Sequence, residues 1–243
     1  MADSFRFPAL SACLDVEAEG GPEALRHAIT RAADLGCTGV HLRARWDHVF
    51  RASASSADFM AADRAVAAVR AKGLAATIRL DTFPPPAWMN PMEYAALDAA
   101  GKPILSVGGG RPLLTRNSKH VRDGVAAAFK ACAAHFGSGV ACWEEGAPAP
   151  GTFADRAPLD HSRWAAEGYR AWLRRKFVDL PTLNAAWDAS VGSWDDVQAA
   201  EGVRRSTQAD FHLFRYATAS SWCEHLRKTA REGRAGAGFA VGL

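Results

Sequence analysis

The chain has 243 residues, of which 49% are hydrophobic and 23% charged, and its net charge at pH 7 is +3. This composition excludes an intrinsically disordered chain, and the near-neutral charge argues against nucleic acid or an anionic membrane as the partner. No apolar run approaches the ~18 residues of a membrane span and no signal peptide is visible, so we expect a soluble protein. The five cysteines form no C-x-x-C pair, which favours reduced thiols in a cytoplasmic protein.

The first half of the chain alternates strand patterns with helix patterns. Short apolar runs predict strands over residues 9–15, 38–46 and 74–81, and a fourth within residues 139–150 that ends in Glu144 and Glu145. Amphipathic segments that end in Gly predict helices over residues 22–36, 56–73 and 118–137. Strands that are separated by single helices are typical of βαβ units and a parallel sheet.

The loops indicate which kind of parallel sheet this is. Those that follow strands two, three and four are long and rich in Trp, Pro, Arg and carboxylates, whereas the loops that lead into strands are short. Long loops at the carboxyl ends of successive strands build the active face of a TIM-type barrel. An open doubly wound sheet is the alternative, but no G-x-G-x-x-G turn follows strand one, so we favour the barrel.

The second half is helical, and we treat residues 158–233 as an inserted helical segment after strand four. Two amphipathic helices are predicted within residues 161–197 and a third over residues 208–233, with aromatic side chains that we interpret as packing residues. A fifth strand pattern, "GFAVGL", then ends the chain. Since a closed barrel needs eight strands, the fold class predicted is α/β: one incomplete (β/α)8 TIM-barrel domain over residues 1–243, C-terminally truncated, with about five of eight strands.

Several segments are similar to motifs of a known family. "DTFPPPAW" is similar to a Pro-Pro-x-Trp stretch after the third strand, and "GGGRPLLTRNS" to Gly-x-Arg-Arg-x-Tyr-Cys-Pro-Asn-Ser. "YRAWLRRKFVDLPTLNAAW" is similar to a Phe-x-x-Trp-Leu-x-x-Lys-Tyr run that ends in Leu-Asn-x-x-Trp. In this order the motifs resemble the family 42 glycoside hydrolases, the β-galactosidase-type barrels. The resemblance implies a retaining hydrolase of O-glycosidic bonds that acts on a carbohydrate.

The resemblance carries over to individual residues of the "GGGRPLLTRNS" segment. Arg111 lies where the family has a substrate-binding arginine, and Asn117 matches the Asn of Asn-Ser, with a structural role as the alternative. Thr115 stands in place of the cysteine of that motif and Leu114 in place of its tyrosine. Some related families have a zinc cysteine in this region, and none replaces it here. The eight histidines are scattered with no H-x-x-x-H pair on a helix, so we expect no metal site, and we expect no cofactor.

The acid/base glutamate of the family closes strand four in Trp-x-x-Asp-Asn-Glu. Counting five residues from Trp143 leads to Pro148, with Ala147 in place of the Asn. Either the carboxylate has been lost, or Glu144 or Glu145 is the proton donor. Adjacent strand residues point to opposite faces, so at most one of the two lines the pocket, and we favour Glu145 because it lies nearer the loop. The alternative is that one forms an ion pair and the other is solvated.

The rest of the predicted site is less complete. The nucleophile would close strand seven, beyond this chain, so the chain alone is expected to be inactive. Further candidates for substrate binding are Asp15, Arg43, Trp46 and Trp88, with a salt-bridge network and loop anchors as the alternatives. Two other functions stay open, a non-catalytic barrel that binds a carbohydrate or a partner, and an unrelated α/β metabolic enzyme. A homo-oligomer is compatible with all of them.

Overall fold

The structure is a computed structural model, and it describes residues 10–17, 20–106, 110–140, 142–145, 160–198 and 205–241. The strands are β1 Ser11–Asp15, β2 Gly39–Arg45, β3 Ala75–Asp81, β4 Cys142–Glu145 and β5 Gly238–Val241. The helices are α1 Gly21–Asp34, α2 Trp46–Val49, α3 Met60–Ala71, α4 Lys119–Phe136, α5 Arg163–Phe177, α6 Leu180–Trp187 and α7 Arg205–Gly233. Every predicted strand and helix has its counterpart here, and the short α2 is an addition.

The five strands form one parallel sheet in the order β1-β2-β3-β4-β5. The predicted parallel sheet is therefore confirmed. Strand order follows chain order without a reversal, whereas a doubly wound sheet reverses its direction at a switch point. This order is the one that consecutive βαβ units produce as they wind in a single direction.

The chain divides into two compact units, which are described separately below. The sheet unit comprises Met1–Met89, Gly124–Ala147 and Glu224–Leu243 and contains all five strands. The helical unit comprises Asn90–Asp123 and Pro148–Cys223 and includes α5 and α6. The predicted single barrel domain and the bounds of its inserted segment, 158–233, stay predictions.

One face of the sheet forms the core of the sheet unit. Alternate residues of β2 and β3 are in register and buried, namely Val40 with Ala76, Leu42 with Ile78 and Ala44 with Leu80. Helices α1 and α3 contribute Leu25, Ile29, Ala65 and Val69 to the buried set. Because side chains alternate along a strand, the residues between these point to the other face, which carries the charged groups described below.

An aromatic cluster forms the core of the helical unit. Its buried members are Tyr169, Leu173, Leu183, Trp187, Val197, Phe211 and Phe214. Trp172, Phe177 and Leu180 pack against them, which confirms the packing role predicted for the aromatic residues of this segment. Side-chain caps begin the helices, since Ser162 accepts a hydrogen bond from the Ala165 N–H and Asp179 from the Thr182 N–H.

Candidate active site

Charged side chains meet at the carboxyl ends of the first three strands. Asp81, at the end of β3 and only 3% exposed, accepts hydrogen bonds from Arg43 on β2 and from Arg79 Nε at 3.1 Å. Arg43 Nη1 also lies 4.0 Å from Asp15 Oδ2 at the end of β1. We call Asp15, Arg43, Arg79 and Asp81 the charged cluster. The salt-bridge network that the sequence left open for Arg43 and Asp15 is therefore present.

The charged cluster combines a buried anchor with an accessible cation. The hydrogen bond from Arg43 to Asp81 raises the pKa of the Arg43 guanidinium, and partial burial opposes this shift. Both Asp81 oxygens accept from guanidinium groups, which suits this carboxylate to positioning the two arginines. The Arg43 side chain is still 47% exposed, so its guanidinium can donate to the hydroxyl groups of a ligand.

A second group of charges follows β1 and β2. Arg45 donates to Asp47 through Nε at 3.1 Å and through Nη2 at 2.7 Å. The His48 imidazole contacts the Glu17 carboxylate, and its Nε2 lies 3.9 Å from Asp47 Oδ2. Burial and then the Arg51 charge lower the pKa of His48. Sequence analysis missed Glu17 and His48, although both lie within three residues of a strand end, where such residues gather in a parallel sheet.

The two tryptophans proposed as sugar platforms form a packed pair. Trp46 is fully buried, and its ring meets that of Trp88 edge-on at 5.7 Å. Trp88, half-buried, donates from Nε1 to the Phe50 carbonyl oxygen at 2.7 Å. A fully buried indole has no free face for a sugar ring, so the geometry favours the loop-anchor alternative for Trp46. The assignment of Trp88 as a sugar contact stays a prediction.

The backbone register of β4 separates the two neighbouring glutamates. Glu144 is in register with Arg79, and Glu145 is in register with Leu80. Arg79 belongs to the charged cluster, whereas Leu80 belongs to the buried face of the sheet. The register therefore favours Glu144 as the position nearer the charged cluster, while the sequence had favoured Glu145. Ala147 and Pro148 lie outside the described residues.

The remaining predicted site residues, Arg111 and Asn117, belong to the helical unit. Asn117 Nδ2 donates to Asp160 Oδ2 at 3.2 Å, and its Oδ1 accepts from Thr218 Oγ1 at 3.4 Å. These contacts favour the structural alternative for Asn117. Arg111 is exposed, and its backbone carbonyl oxygen accepts a hydrogen bond from the Ser106 N–H at 2.9 Å. Its role in substrate binding stays a prediction.

Asp160 organises the segment around Asn117 and was missed by sequence analysis. Besides Asn117, it accepts from Thr115 Oγ1 at 2.5 Å and from the backbone N–H groups of Ser162 at 2.9 Å and Leu97 at 3.4 Å. Thr115, which replaces the motif cysteine, is fully buried and holds this carboxylate. The available signal was local, because an Asp two residues before a capping Ser often binds the backbone of the helix start.

The described residues contain neither a metal-binding cluster nor a membrane-spanning helix. No group of three His, Cys, Asp or Glu side chains there could hold a metal ion. In the same parts of the chain, no helix has the length and apolar character that crossing a membrane requires.

A family model described as beta-galactosidase, that of glycoside hydrolase family 42, matches residues 23–237. The chain belongs to glycoside hydrolase family 42. The resemblance read from the sequence motifs is thereby confirmed, and so is the coarser assignment of the chain to a family of glycoside hydrolases. No curated protein sequence matches this family 42 chain significantly.

Solved structures share the fold of this family 42 chain. A β-galactosidase from the Antarctic haloarchaeon Halorubrum lacusprofundi has a TM-score of 0.79 at 18% identity, and the match covers 96% of this chain and 36% of that one. The β-galactosidase of the psychrophilic Marinomonas ef1 has a TM-score of 0.77 at 16% identity, and the match covers 95% of this chain and 36% of that one. The catalytic domain of a β-amylase from Paenibacillus polymyxa has a TM-score of 0.69 at 14% identity, and the match covers 96% of this chain and 65% of that one. At these identities the likeness shows the fold, and the chain spans about 36% of the two galactosidases.

Proposed function

We propose that this chain is part of a retaining β-galactosidase-type hydrolase that cleaves the O-glycosidic bond of a galactoside or a related sugar. The observation that carries the proposal is the family match over residues 23–237. In this proposal β1 to β5 are the first five strands of a (β/α)8 barrel, and the helical segment is inserted after β4. The charged cluster at the strand ends supports it, because barrel enzymes bind their substrates at that face.

Within this proposal Glu144 is the proton donor and Glu145 the alternative. The register of Glu144 with Arg79 supports this order, since it sets the residue in the row of the charged cluster. Retaining hydrolysis also needs a nucleophilic carboxylate ~5 Å from the donor, and we propose that it comes from residues outside this chain. Arg43, with its exposed guanidinium, Asp15 and Arg111 are the proposed contacts to sugar hydroxyl groups.

The second candidate is a non-catalytic relative that binds a carbohydrate or a partner chain. One specific observation favours it: Ala147 and Pro148 stand where the family motif has its Asn and its acid/base Glu. Pro cannot donate a proton, so the chemistry of the family would have to use a different carboxylate.

The two candidates differ in turnover. The test uses the gene product as the source cell makes it, beside the 243-residue chain alone, with a chromogenic β-galactoside as substrate and calorimetry with galactose. If Glu144 is the donor, we expect Glu144→Gln to lower kcat by about 100-fold or more, and Glu145→Gln by only a few-fold. Glu167→Gln, an exposed position of α5, is the matched control.

Each outcome of this test has a distinct meaning. Galactose binding without hydrolysis in every form would support the non-catalytic candidate. A loss of activity confined to Glu145→Gln would transfer the donor role to Glu145. If both variants keep the rate of the unsubstituted protein, neither glutamate takes part in the mechanism. A gene product that neither binds nor cleaves galactosides would contradict the first candidate and would leave only the partner-binding form of the second.

A further inference from the structure

A cavity of about 600 Å³ lies between α1 and α3 of the sheet unit. It is lined by Val16, Pro22, Leu25, Arg26, Ala61, Arg64, Ala67 and Ala68. Ligand sites in proteins occupy roughly 300–1,000 Å³, so the cavity is large enough for a small organic molecule. It shares no residue with the charged cluster, and the inference below is independent of the proposed function.

The cavity is lined mainly by apolar side chains, several of them small. Ala61, Arg64 and Ala68 are spaced i, i+3 and i+7 and therefore lie on one face of α3. The alanines present only methyl groups, which leaves a shallow, flat wall instead of one filled by large side chains. On the α1 side, Pro22 and Leu25 supply further apolar surface. Such walls fit the face of a flat apolar group.

Two guanidinium groups give the cavity its charge. Arg64 Nη2 donates to the Met60 sulfur at 3.1 Å, and a thioether is only a weak acceptor. Arg26 Nη2 lies 3.9 Å from Glu23 Oε1, and both side chains are exposed. An ion pair exposed in this way contributes little free energy, so Arg26 can bind another anion. Pro22 and Ala61 also belong to the first turns of α1 and α3, where the helix dipoles favour negative charge.

We infer that this cavity binds a small organic anion, a carboxylate attached to a flat apolar body such as an aryl ring. The carboxylate would take the guanidinium of Arg64, with Arg26 as a second cation, and the ring would lie against the alanines of α3. A neutral molecule of the same shape gains the apolar contacts but not the charge-assisted hydrogen bonds.

The inference is tested by calorimetric titration of the whole chain with 2-naphthoate and with 2-naphthalenemethanol, its neutral analogue. We expect one naphthoate per chain, bound about tenfold more tightly than the alcohol. Arg64→Met keeps an apolar side chain of similar length and removes the charge, so naphthoate affinity should fall about tenfold while that of the alcohol is unchanged. Arg70→Met removes the same charge from an exposed position of α3 outside the cavity and should change neither affinity.

A second variant tests the volume of the cavity. Ala68→Phe fills the space next to Arg64 and should remove binding of both ligands, with a circular-dichroism melt to check that it folds. Since Arg64 and Arg70 are both exposed, their variants keep the test valid even if Ala68→Phe is unstable. The inference is overturned if wild-type protein shows no saturable naphthoate binding, if acid and alcohol bind equally, or if Arg64→Met and Arg70→Met have the same effect.

Discussion

Two buried carboxylates, one in each unit, are used in different ways. Asp81 of the sheet unit and Asp210 of the helical unit are 3% and 5% exposed. Asp81 accepts from two arginines, one of which, Arg43, keeps almost half of its side chain in solvent. Asp210 accepts from Lys176 and, at 2.8 Å, from the Trp187 Nε1–H. The first carboxylate supports charges that a ligand can reach, whereas the second holds an aromatic core together.

The geometry of each element explains this difference. Parallel strands end at one edge of a sheet, so polar residues with a period of two converge there from different parts of the chain. The helices of the second unit turn one face inward every 3.6 residues, and a polar group on that face must find its partner inside the core. The comparison predicts different responses to substitution in the two units.

The largest effect is expected at Asp210. Asp210→Ala removes the acceptor of the Trp187 N–H and the carboxylate that pairs with Lys176, and we expect the free energy of unfolding to fall by about 3 kcal/mol. Urea denaturation of the whole chain measures it. Asp196→Ala, at an exposed position of the same unit, is the control and should change stability by less than ~0.5 kcal/mol. A loss below ~1 kcal/mol at Asp210 would show that this carboxylate does not hold the aromatic core together.

The second effect tests packing in the sheet unit. A Cβ on Gly233 would lie 2.4 Å from the Lys130 carbonyl oxygen and 3.0 Å from Ala133 Cβ, so Gly233→Ala forces α7 away from α4 and should cost about 2 kcal/mol. Gly124→Ala is the matched control, because its closest contact, at 2.6 Å, is Cε at the far end of the unbranched Met89 side chain, which can change rotamer more easily than backbone can move. The gain in helix propensity, up to ~1 kcal/mol, should offset most of that contact. Thermal melts of both variants measure the difference. If Gly233→Ala and Gly124→Ala lose the same stability, the close packing of Gly233 against α4 is contradicted.

A smaller and salt-dependent effect is expected at Asp81. Asp81→Asn removes the charge that both arginines share, and we expect a loss of about 1 kcal/mol at low ionic strength. Because the Arg43 side chain is 47% exposed, ~1 M salt should screen much of this loss, whereas the part of the Asp210 loss that comes from the buried hydrogen bond to Trp187 should persist. Denaturation of both variants at the two salt concentrations measures the contrast. An Asp81→Asn loss that salt leaves unchanged would contradict the expected screening.

The smallest effect is a gain in stability at the end of α5. Val178 has a φ of 64° and is 83% exposed, and a β-branched residue is strained in that region. Val178→Gly should therefore raise the free energy of unfolding by about 0.5–1 kcal/mol. Leu35, the C-terminal cap of α1, is exposed as well but has a φ of −80°. Leu35→Gly should lower the free energy of unfolding. If both glycine variants change this free energy in the same direction, backbone strain at Val178 is excluded.

Sequence analysis predicted the elements well and the side-chain partners poorly. The alternation "HLRAR" in β2 and the Gly-ended helix 118–137 predicted their elements, since periodicity and caps act within one element. The burial of Trp46 was missed, because the neighbours that cover it, such as Trp88, are brought in by long-range packing. Besides the nearby Ser162, Asp160 accepts from Leu97 and Thr115, which lie 63 and 45 residues away, a separation that no local pattern reports.

By itself the sequence determined the βαβ alternation, the parallel sheet, the aromatic helical segment and the family, because each depends on local periodicity or on motifs of contiguous residues. Tertiary structure decided which charges meet. It joined Arg43 to Asp81, set Glu144 beside Arg79 in the register of β4, and opened a cavity flanked by Arg26 and Arg64. Strand register and helix packing are fixed by contacts between residues far apart in the chain, so no single segment encodes them.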